Sequence, residues 1–263
     1  MQYKLINFST YSSIKIGAPL NVALIQTLQD AFDCLSENYR IIGKANNLLI
    51  SPQAKKLAIL DKSYNYIQDN EEYIEIGGAL ASGRIFSYFK SHNLAGAEFL
   101  QALPGSLGGL IKMNAGMKQY EMKNLLQSIN VNGQWHNTNA FPMEYRYSGI
   151  EGIILAGRFY KRVGFDASLQ AEFIKMRQTH PKEPSCGSCF KNPHGDYAGR
   201  LLESVGLKGY RLGGVAFSEK HANFLINVGN ATFDEAISLI KLAQKRVYET
   251  NGIQLEPEIQ IIE

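Results

Sequence analysis

Between Leu103 and Gly116 the chain reads LPGSLGGLIKMNAG, and this stretch limits most severely what the chain can fold into. Pro104 presets its own φ, and Gly105, Gly108 and Gly109 follow it closely, so the backbone is tight and nearly bare of side chains. A loop of this kind brings main-chain N–H groups close to a phosphate or a flat ring. The spacing is not the G-x-G-x-x-G of dinucleotide-binding turns, and no G-K-[ST] follows as in the phosphate loop of nucleoside triphosphatases. Taken alone, a glycine-rich turn between two packed elements is the commoner reading. Asn114, Ala115 and Gly116 shift the balance, because a second polar turn beyond the apolar Leu110 and Ile111 makes a wall suited to a ligand.

At 263 residues the chain can bury a large core and divide into two or three compact parts. Its 45% apolar and 19% charged residues are the balance of a soluble globular protein. A net charge of +3, with no basic run interleaved with aromatics, gives no reason to expect a nucleic-acid partner. No apolar run approaches membrane-spanning length, and the first residues lack the apolar stretch of a secretion signal. The cytoplasm is the expected location, with no membrane partner. Three cysteines are too few, and odd in number, for a disulfide framework.

Hydrophobic periodicity and turn signals divide the chain into three consecutive parts, 1–61, 62–163 and 164–263. In the first, strands at 21–25, 40–43, 48–50 and 57–60 alternate with a helix running to about residue 38, opened by the Thr27/Asp30 capping box. The second is richer in strands. Residues 73–76 alternate at period two, a helix capped by Ser82 turns Ile85, Phe86 and Phe89 inward, Asn132-Gly133 marks a hairpin, and 153–159 is a strand. The third is rich in helices: 167–179, a helix capped by Asp196 and stopped by Gly206, and a long helix from Thr232/Glu235 to Asn251-Gly252. A strand at 258–262 closes the chain. The expected class is α+β, a small α/β part and a β-rich part followed by a helix-rich part.

Three constellations carry chemistry. Cys186-Gly187-Ser188-Cys189 is a C-x-x-C, but it lacks the thioredoxin-type surroundings a redox pair needs and the further ligands of a zinc site, so no metal is expected. Its better use is a small turn that presents the Ser188 hydroxyl. Arg146 stands between Tyr145 and Tyr147; on a strand the tyrosines would face away from it, leaving a planar fork to hold a carboxylate or phosphate. Surface arginines and turn serines are ordinarily structural, so both readings need support from elsewhere. Glu256-Pro257-Glu258 places two carboxylates before the last strand, where such groups are usually solvated.

Taken together these pieces resemble the UDP-N-acetylenolpyruvoylglucosamine reductase (MurB) family over nearly the whole chain. In the family's order come Ile16-Gly17, residues 43–49, residues 103–116, residues 145–148, residues 187–193, residues 198–203, residues 220–227 and residues 255–259. The compact C-terminal part resembles the shorter family form, which lacks a substrate-covering tyrosine loop. The phosphate turn departs from the family's G-x-G-S-N, reading Gly43-Lys44-Ala45-Asn46-Asn47, and Gly17-Ala18 stands in place of a glycine pair.

The resemblance implies a tightly bound FAD held by the first two parts and a substrate-binding third part. Gly43, Ala45, Asn46, Asn47 and Leu48 would meet the flavin from one turn, and Pro104, Gly105, Ser106, Gly108, Gly109, Asn114 and Gly116 from the other. NADPH would give a hydride to flavin N5, which passes it to the enolpyruvyl group of a UDP-sugar, yielding UDP-N-acetylmuramate for peptidoglycan. Ser188 would supply the proton, and Arg146 and Glu258 would stabilise the enolate. Tyr145, Lys191, Asn192 and Asn223 would face the substrate. A monomer acting only on small molecules is expected. Two other classes stand beside this one. A flavin enzyme with another substrate would not be reoxidised by the enolpyruvyl nucleotide, and a non-catalytic zinc module would be colourless.

Overall fold

Thr27 begins a helix as its spacing predicts. In the computed structural model, which describes residues 1–263, its side chain accepts the Asp30 N–H at 3.2 Å. The Asp30 carboxylate in turn accepts the Thr27 N–H at 2.9 Å, and the helix Leu28–Ser36 follows. This helix connects strands of a four-stranded sheet ordered Gln2–Asn7, Pro19–Ile25, Leu57–Leu60, Arg40–Ile41. Val22 lies opposite Leu57, and Arg40 pairs with the same strand from its other side, both in parallel. The fold is α+β.

The chain forms two compact units, neither continuous in sequence. One comprises Met1–Lys4, Val22–Lys44 and Lys56–Arg177; the other comprises Leu5–Asn21, Ala45–Lys55 and Gln178–Glu263.

In the first unit a five-stranded antiparallel sheet runs in the order Gln134–Asn137, Leu126–Val131, Ile154–Tyr160, Tyr73–Gly77, Ile67–Asp69. Asn132 and Gly133, both at positive φ (53° and 88°), close the hairpin with the turn that matches strand twist. The helix Ser82–Ser91 buries Ile85, Phe86 and Phe89 in the core that also holds Ile74, Ile76 and Phe159. Ser82 is not its cap: the cap position is Ala81, and Ser82 lies buried in the first turn. The helix Ala167–Arg177, expected to open the C-terminal part, belongs to this unit. Its Phe173 is fully buried, edge-on to Phe99 and Tyr120 at 6.2 and 5.4 Å. Burying one such ring is worth about 1.5–3 kcal/mol, enough to decide where a short helix docks.

The second unit is less helical than its sequence predicts. A four-stranded antiparallel sheet, Ser185–Ser188, Phe224–Asn227, Val215–Phe217, Arg211–Leu212, lies with the helices Ala198–Ser204 and Phe233–Asn251. These strands have two to four residues, and the inner ones are buried runs without alternation, so no period-two signal exists to read. Leu201, Leu202, Phe217, Leu225, Leu239, Ile240, Ala243 and Val247 make its core, joined by Ile14, Ile16 and Leu49 from the N-terminal part of the chain. The long helix ends at Gly252, left-handed at φ 69°. Asp196 does not cap Ala198–Ser204; the cap position is Tyr197. The last strand, Gln260–Ile262, pairs in parallel with Leu48–Ile50. No helix is long and apolar enough to cross a membrane.

Candidate active site

Ser188 ends the edge strand Ser185–Ser188, and the left-handed Gly187 (φ 81°) before it interrupts the ladder to Phe224–Asn227. The chain therefore leaves the sheet at Ser188 rather than running on. It is held by Asn223. The Asn223 carbonyl accepts the Cys189 N–H at 2.7 Å, its Oδ1 accepts the Phe190 N–H at 3.0 Å, and its Nδ2 donates to the Phe190 carbonyl at 2.7 Å. The side chain thus imitates a strand partner. Asn223 is buried and its amide is bonded to Phe190, so it holds the Ser188 loop.

Glu258 adjoins the same loop, donating its backbone N–H to the Cys189 carbonyl at 2.8 Å. Its own carbonyl accepts from Asn47 Nδ2 at 2.9 Å. Ser188 and Glu258 are both half-buried. Lys191 is tied twice to Glu256, backbone N–H to carbonyl at 2.9 Å and Nζ to Oε1 at 2.5 Å. Asn192 accepts the Ala198 N–H at 3.1 Å and so caps the helix Ala198–Ser204, a task its sequence context does not announce. In the turn before Leu48, the carbonyl of Ala45 accepts the Ser13 N–H at 3.2 Å and that of Asn46 the Ser13 hydroxyl at 3.2 Å. Ala45 is left-handed (φ 49°) and buried.

Cys186 and Cys189 are free thiols buried in the core. Burial pushes the Cys186 thiol up to about 12 and that of Cys189 well above its ordinary value. Neither is a thiolate near neutral pH, the form that a nucleophile or metal ligand requires.

Arg146 lies in the first unit, and not on a strand. The Tyr147 N–H donates to the Glu144 carbonyl at 3.1 Å, making a tight turn in which Arg146 is left-handed (φ 57°). Tyr145 does not face away from it: the guanidinium carbon sits 4.8 Å from the centre of the exposed ring. The strand alternation fails because this segment has no ladder partner beyond the Glu144–Tyr147 bridge. Asn114, expected to touch a cofactor, is wholly buried, and its Nδ2 lies within 3.2 Å of the carbonyls of Met143 and Glu144 and of Glu121 Oε2. Its amide is bonded to the backbone just before Arg146. Glu121 and Lys123, which join that network, carried no sequence signal.

The glycines of residues 103–116 divide into two kinds. Leu107–Lys112 is a short helix, so Gly108 and Gly109 are helical rather than loop. Gly108 donates its N–H to the Gly78 carbonyl at 2.8 Å, and a Cβ on it would lie 3.2 Å from the Ile154 carbonyl oxygen. Gly116 closes a small hairpin, where a Cβ would lie 2.2 Å from the Tyr120 carbonyl oxygen. Both glycines serve packing of backbone on backbone. Gly109 is different: it is exposed, and its Cβ would meet only Ser106 Oγ at 3.6 Å. Gly43 lies beside them, its notional Cβ 2.5 Å from Ser106 Oγ and 3.9 Å from Gly109 Cα. Gly43, Ser106 and Gly109 thus form one patch nearly free of side chains. Gly105 adjoins it, its carbonyl accepting the Ser82 N–H at 3.0 Å, and Pro104 is exposed.

Comparison with known proteins follows the same outline. Residues 179–262 match the family described as UDP-N-acetylenolpyruvoylglucosamine reductase, C-terminal domain. The chain is 72% identical to the UDP-N-acetylenolpyruvoylglucosamine reductase of Helicobacter hepaticus, covering 100% of both sequences. It is 52% identical over 257 residues to that of Helicobacter pylori strain J99, covering 98% of each. The crystal structure of UDP-N-acetylenolpyruvylglucosamine reductase (MurB) from Thermus caldophilus matches 100% of both chains, with a TM-score of 0.86 at 27% identity.

Proposed function

The chain belongs to the UDP-N-acetylenolpyruvoylglucosamine reductase (MurB) family and is an oxidoreductase of that activity; on that premise we propose the cofactors, the residues and their roles. When bound, FAD supplies a hydride relay from NADPH to the enolpyruvyl double bond of UDP-N-acetylglucosamine enolpyruvate, giving the peptidoglycan precursor UDP-N-acetylmuramate. The patch of Gly43, Ser106 and Gly109 supports a flavin, since a flat or phosphorylated group can approach main chain closely only where side chains are missing. Pro104 and Gly105 extend that wall, and Ala45, Asn46, Asn47 and Leu48 complete the flavin contacts. Gly108, Gly116 and Asn114 are the remaining positions that the family resemblance assigns to the flavin.

The substrate chemistry assigns the remaining residues. A hydride added at the terminal carbon leaves negative charge on the adjacent carbon and its carboxylate. Arg146 meets that charge with a planar, positively charged fork. The Ser188 hydroxyl gives its proton to the adjacent carbon. A serine is a weak acid, but an ene-diolate carbon is a strong base, so position matters more than acidity. Glu258 lies beside the reacting group, and Tyr145 and Lys191 meet the rest of the substrate. The observation that carries this reading is the bond from the Glu258 N–H to the Cys189 carbonyl, which makes Ser188 and Glu258 neighbours although 70 positions separate them in sequence. The proposed setting is the cytoplasm, with a monomer working on small molecules alone.

Arg146→Lys tests the assignment, because it keeps the charge and loses the bidentate fork. Flavin reduction by NADPH should stay within a few-fold of the parent. Reoxidation by the enolpyruvyl nucleotide should slow by roughly a hundredfold, the scale of one lost transition-state donor. Equal slowing of both half-reactions would make Arg146 a structural residue.

A further inference from the structure

The turn that carries Arg146 does not hold its own shape. Two of its residues, Met143 (φ 40°) and Arg146 (φ 57°), are left-handed without being glycine, a conformation L side chains disfavour. Such a backbone persists only where its surroundings over-determine it. Here the surroundings are two side chains on one neighbouring stretch. Asn114 Nδ2 lies 3.2 Å from the Met143 carbonyl and 3.0 Å from the Glu144 carbonyl. Lys123 Nζ donates to the same Met143 carbonyl at 3.2 Å and pairs with Glu121 Oε2 at 3.0 Å. The Lys123 N–H donates to Asn114 Oδ1 at 3.1 Å, and Asn114 Nδ2 reaches Glu121 Oε2 at 3.1 Å, so the holders are locked to one another.

We propose that Asn114 and Lys123 are positioning residues that clamp the turn of Met143 and Glu144 and thereby aim Arg146. This rests on the role given to Arg146 above. The residue types suit the task. Asn114 is itself left-handed (φ 39°), a conformation asparagine tolerates better than most residues, and its amide is a donor to the carbonyls of buried Met143 and of Glu144. Aspartate would match its shape but set another acceptor against three acceptors. Lys123 is partly exposed, so its ammonium can reach Met143 without the cost of full burial.

A clamp of this kind acts on orientation, and a displacement of about 1 Å at a reacting group costs on the order of a hundredfold in rate. The test uses the holoenzyme and the variants Lys123→Met, Lys123→Arg and Asn114→Asp. In the two Lys123 variants flavin reduction by NADPH should stay within about twofold of the parent. Reoxidation by the enolpyruvyl nucleotide should slow about tenfold in Lys123→Met and about a hundredfold in Asn114→Asp, with Lys123→Arg recovering most of the rate. Added to Arg146→Ala, Lys123→Met should cause no further loss, since residues that act through one another are not additive. Amide exchange at residues 144–148 should quicken about tenfold or more while the helix Ser82–Ser91 exchanges as before. If Asn114→Asp fails to fold, Lys123→Met decides. The clamp is overturned if Lys123→Met leaves both reoxidation and turn exchange unchanged, or if its loss multiplies with that of Arg146→Ala. Should Arg146→Ala itself reoxidise at parental speed, the role of Arg146 is what fails, and the exchange measurement alone then upholds or overturns the clamp.

Discussion

Asn47 and Glu258, 211 positions apart, are joined by a hydrogen bond of 2.9 Å from the Asn47 amide to the Glu258 carbonyl. The Asn47 carbonyl accepts the Gln260 N–H at 2.9 Å, and the parallel pairing of Leu48–Ile50 with Gln260–Ile262 continues from there. A turn assigned to the flavin and a strand assigned to the substrate are therefore one piece of structure.

Asn47→Ala should lower unfolding stability by about 1 kcal/mol, the net worth of one such bond. Reoxidation by the enolpyruvyl nucleotide should fall more than flavin reduction, because the backbone of Glu258 loses its hold. Thermal denaturation and the two half-reactions measure this; an unchanged reoxidation rate would separate the turn from the catalytic strand.

Gly109→Ala and Gly108→Val should part company. Alanine at Gly109 meets only Ser106 Oγ at an ordinary 3.6 Å and should raise apoprotein stability by about 0.5–1 kcal/mol, as helical glycine replacements do. FAD affinity should nonetheless drop about tenfold or more, a methyl group standing where the flavin must approach. Valine at Gly108 should destabilise the apoprotein itself, since its Cβ lies 3.2 Å from a carbonyl oxygen. Unchanged FAD affinity in Gly109→Ala, read by fluorescence titration, removes the patch from the flavin site.

Ser188→Ala removes one oxygen from a half-buried residue and should leave fold, flavin content and NADPH-driven reduction intact. Reoxidation should slow by about 10²–10⁴-fold, the range for a lost positioned acid. Ser188→Cys should recover part of the rate, since a thiol also donates. A near-parental rate in the alanine variant ends the assignment.

Glu256 holds Lys191 in a surface ion pair worth less than about 1 kcal/mol. A nucleotide diphosphate that uses Lys191 has to displace that carboxylate. Glu256→Gln should therefore lower the KM for the enolpyruvyl nucleotide, by no more than about fivefold, and Lys191→Met should raise it. The difference should shrink in high salt. No movement in either variant would show Lys191 to be a purely structural partner of Glu256.

Alkaline solution should destabilise the protein through its buried thiols. Cys186 keeps its proton up to about pH 12 when folded, whereas an unfolded cysteine loses it near pH 8.5. Between those values the folded state binds more protons than the unfolded one, so stability falls as pH rises, by up to about 1.4 kcal/mol per pH unit for each such thiol. Denaturant midpoints from pH 8 to 10.5 should fall less steeply in Cys186→Ala than in the parent. An equal slope would mean that other groups govern the alkaline limb.

Features governed by near neighbours were legible in the sequence. The capping boxes at Thr27 and Thr232, the hairpin at Asn132-Gly133 and the glycine stops at Gly206 and Gly252 each depend on chemistry within about four residues. The family resemblance also singled out Arg146, Ser188 and Glu258 as the expected reactive groups, because the expected reaction asks for those side-chain types. What surrounds them was not legible. Asn114 acts on a carbonyl 29 positions away, Asn223 on one 33 positions away, and Phe173 docks wherever an apolar site accepts its ring. Residues 5–21 and 45–55 join the C-terminal unit for the same reason, since Ile14, Ile16 and Leu49 are buried there by non-local contacts that leave no periodic trace. The local elements follow from neighbouring residues alone, and the proposed reactive groups from the family motifs. Only the tertiary structure decided which asparagines hold those groups, because a hydrogen bond between distant segments exists only once the chain has brought them together.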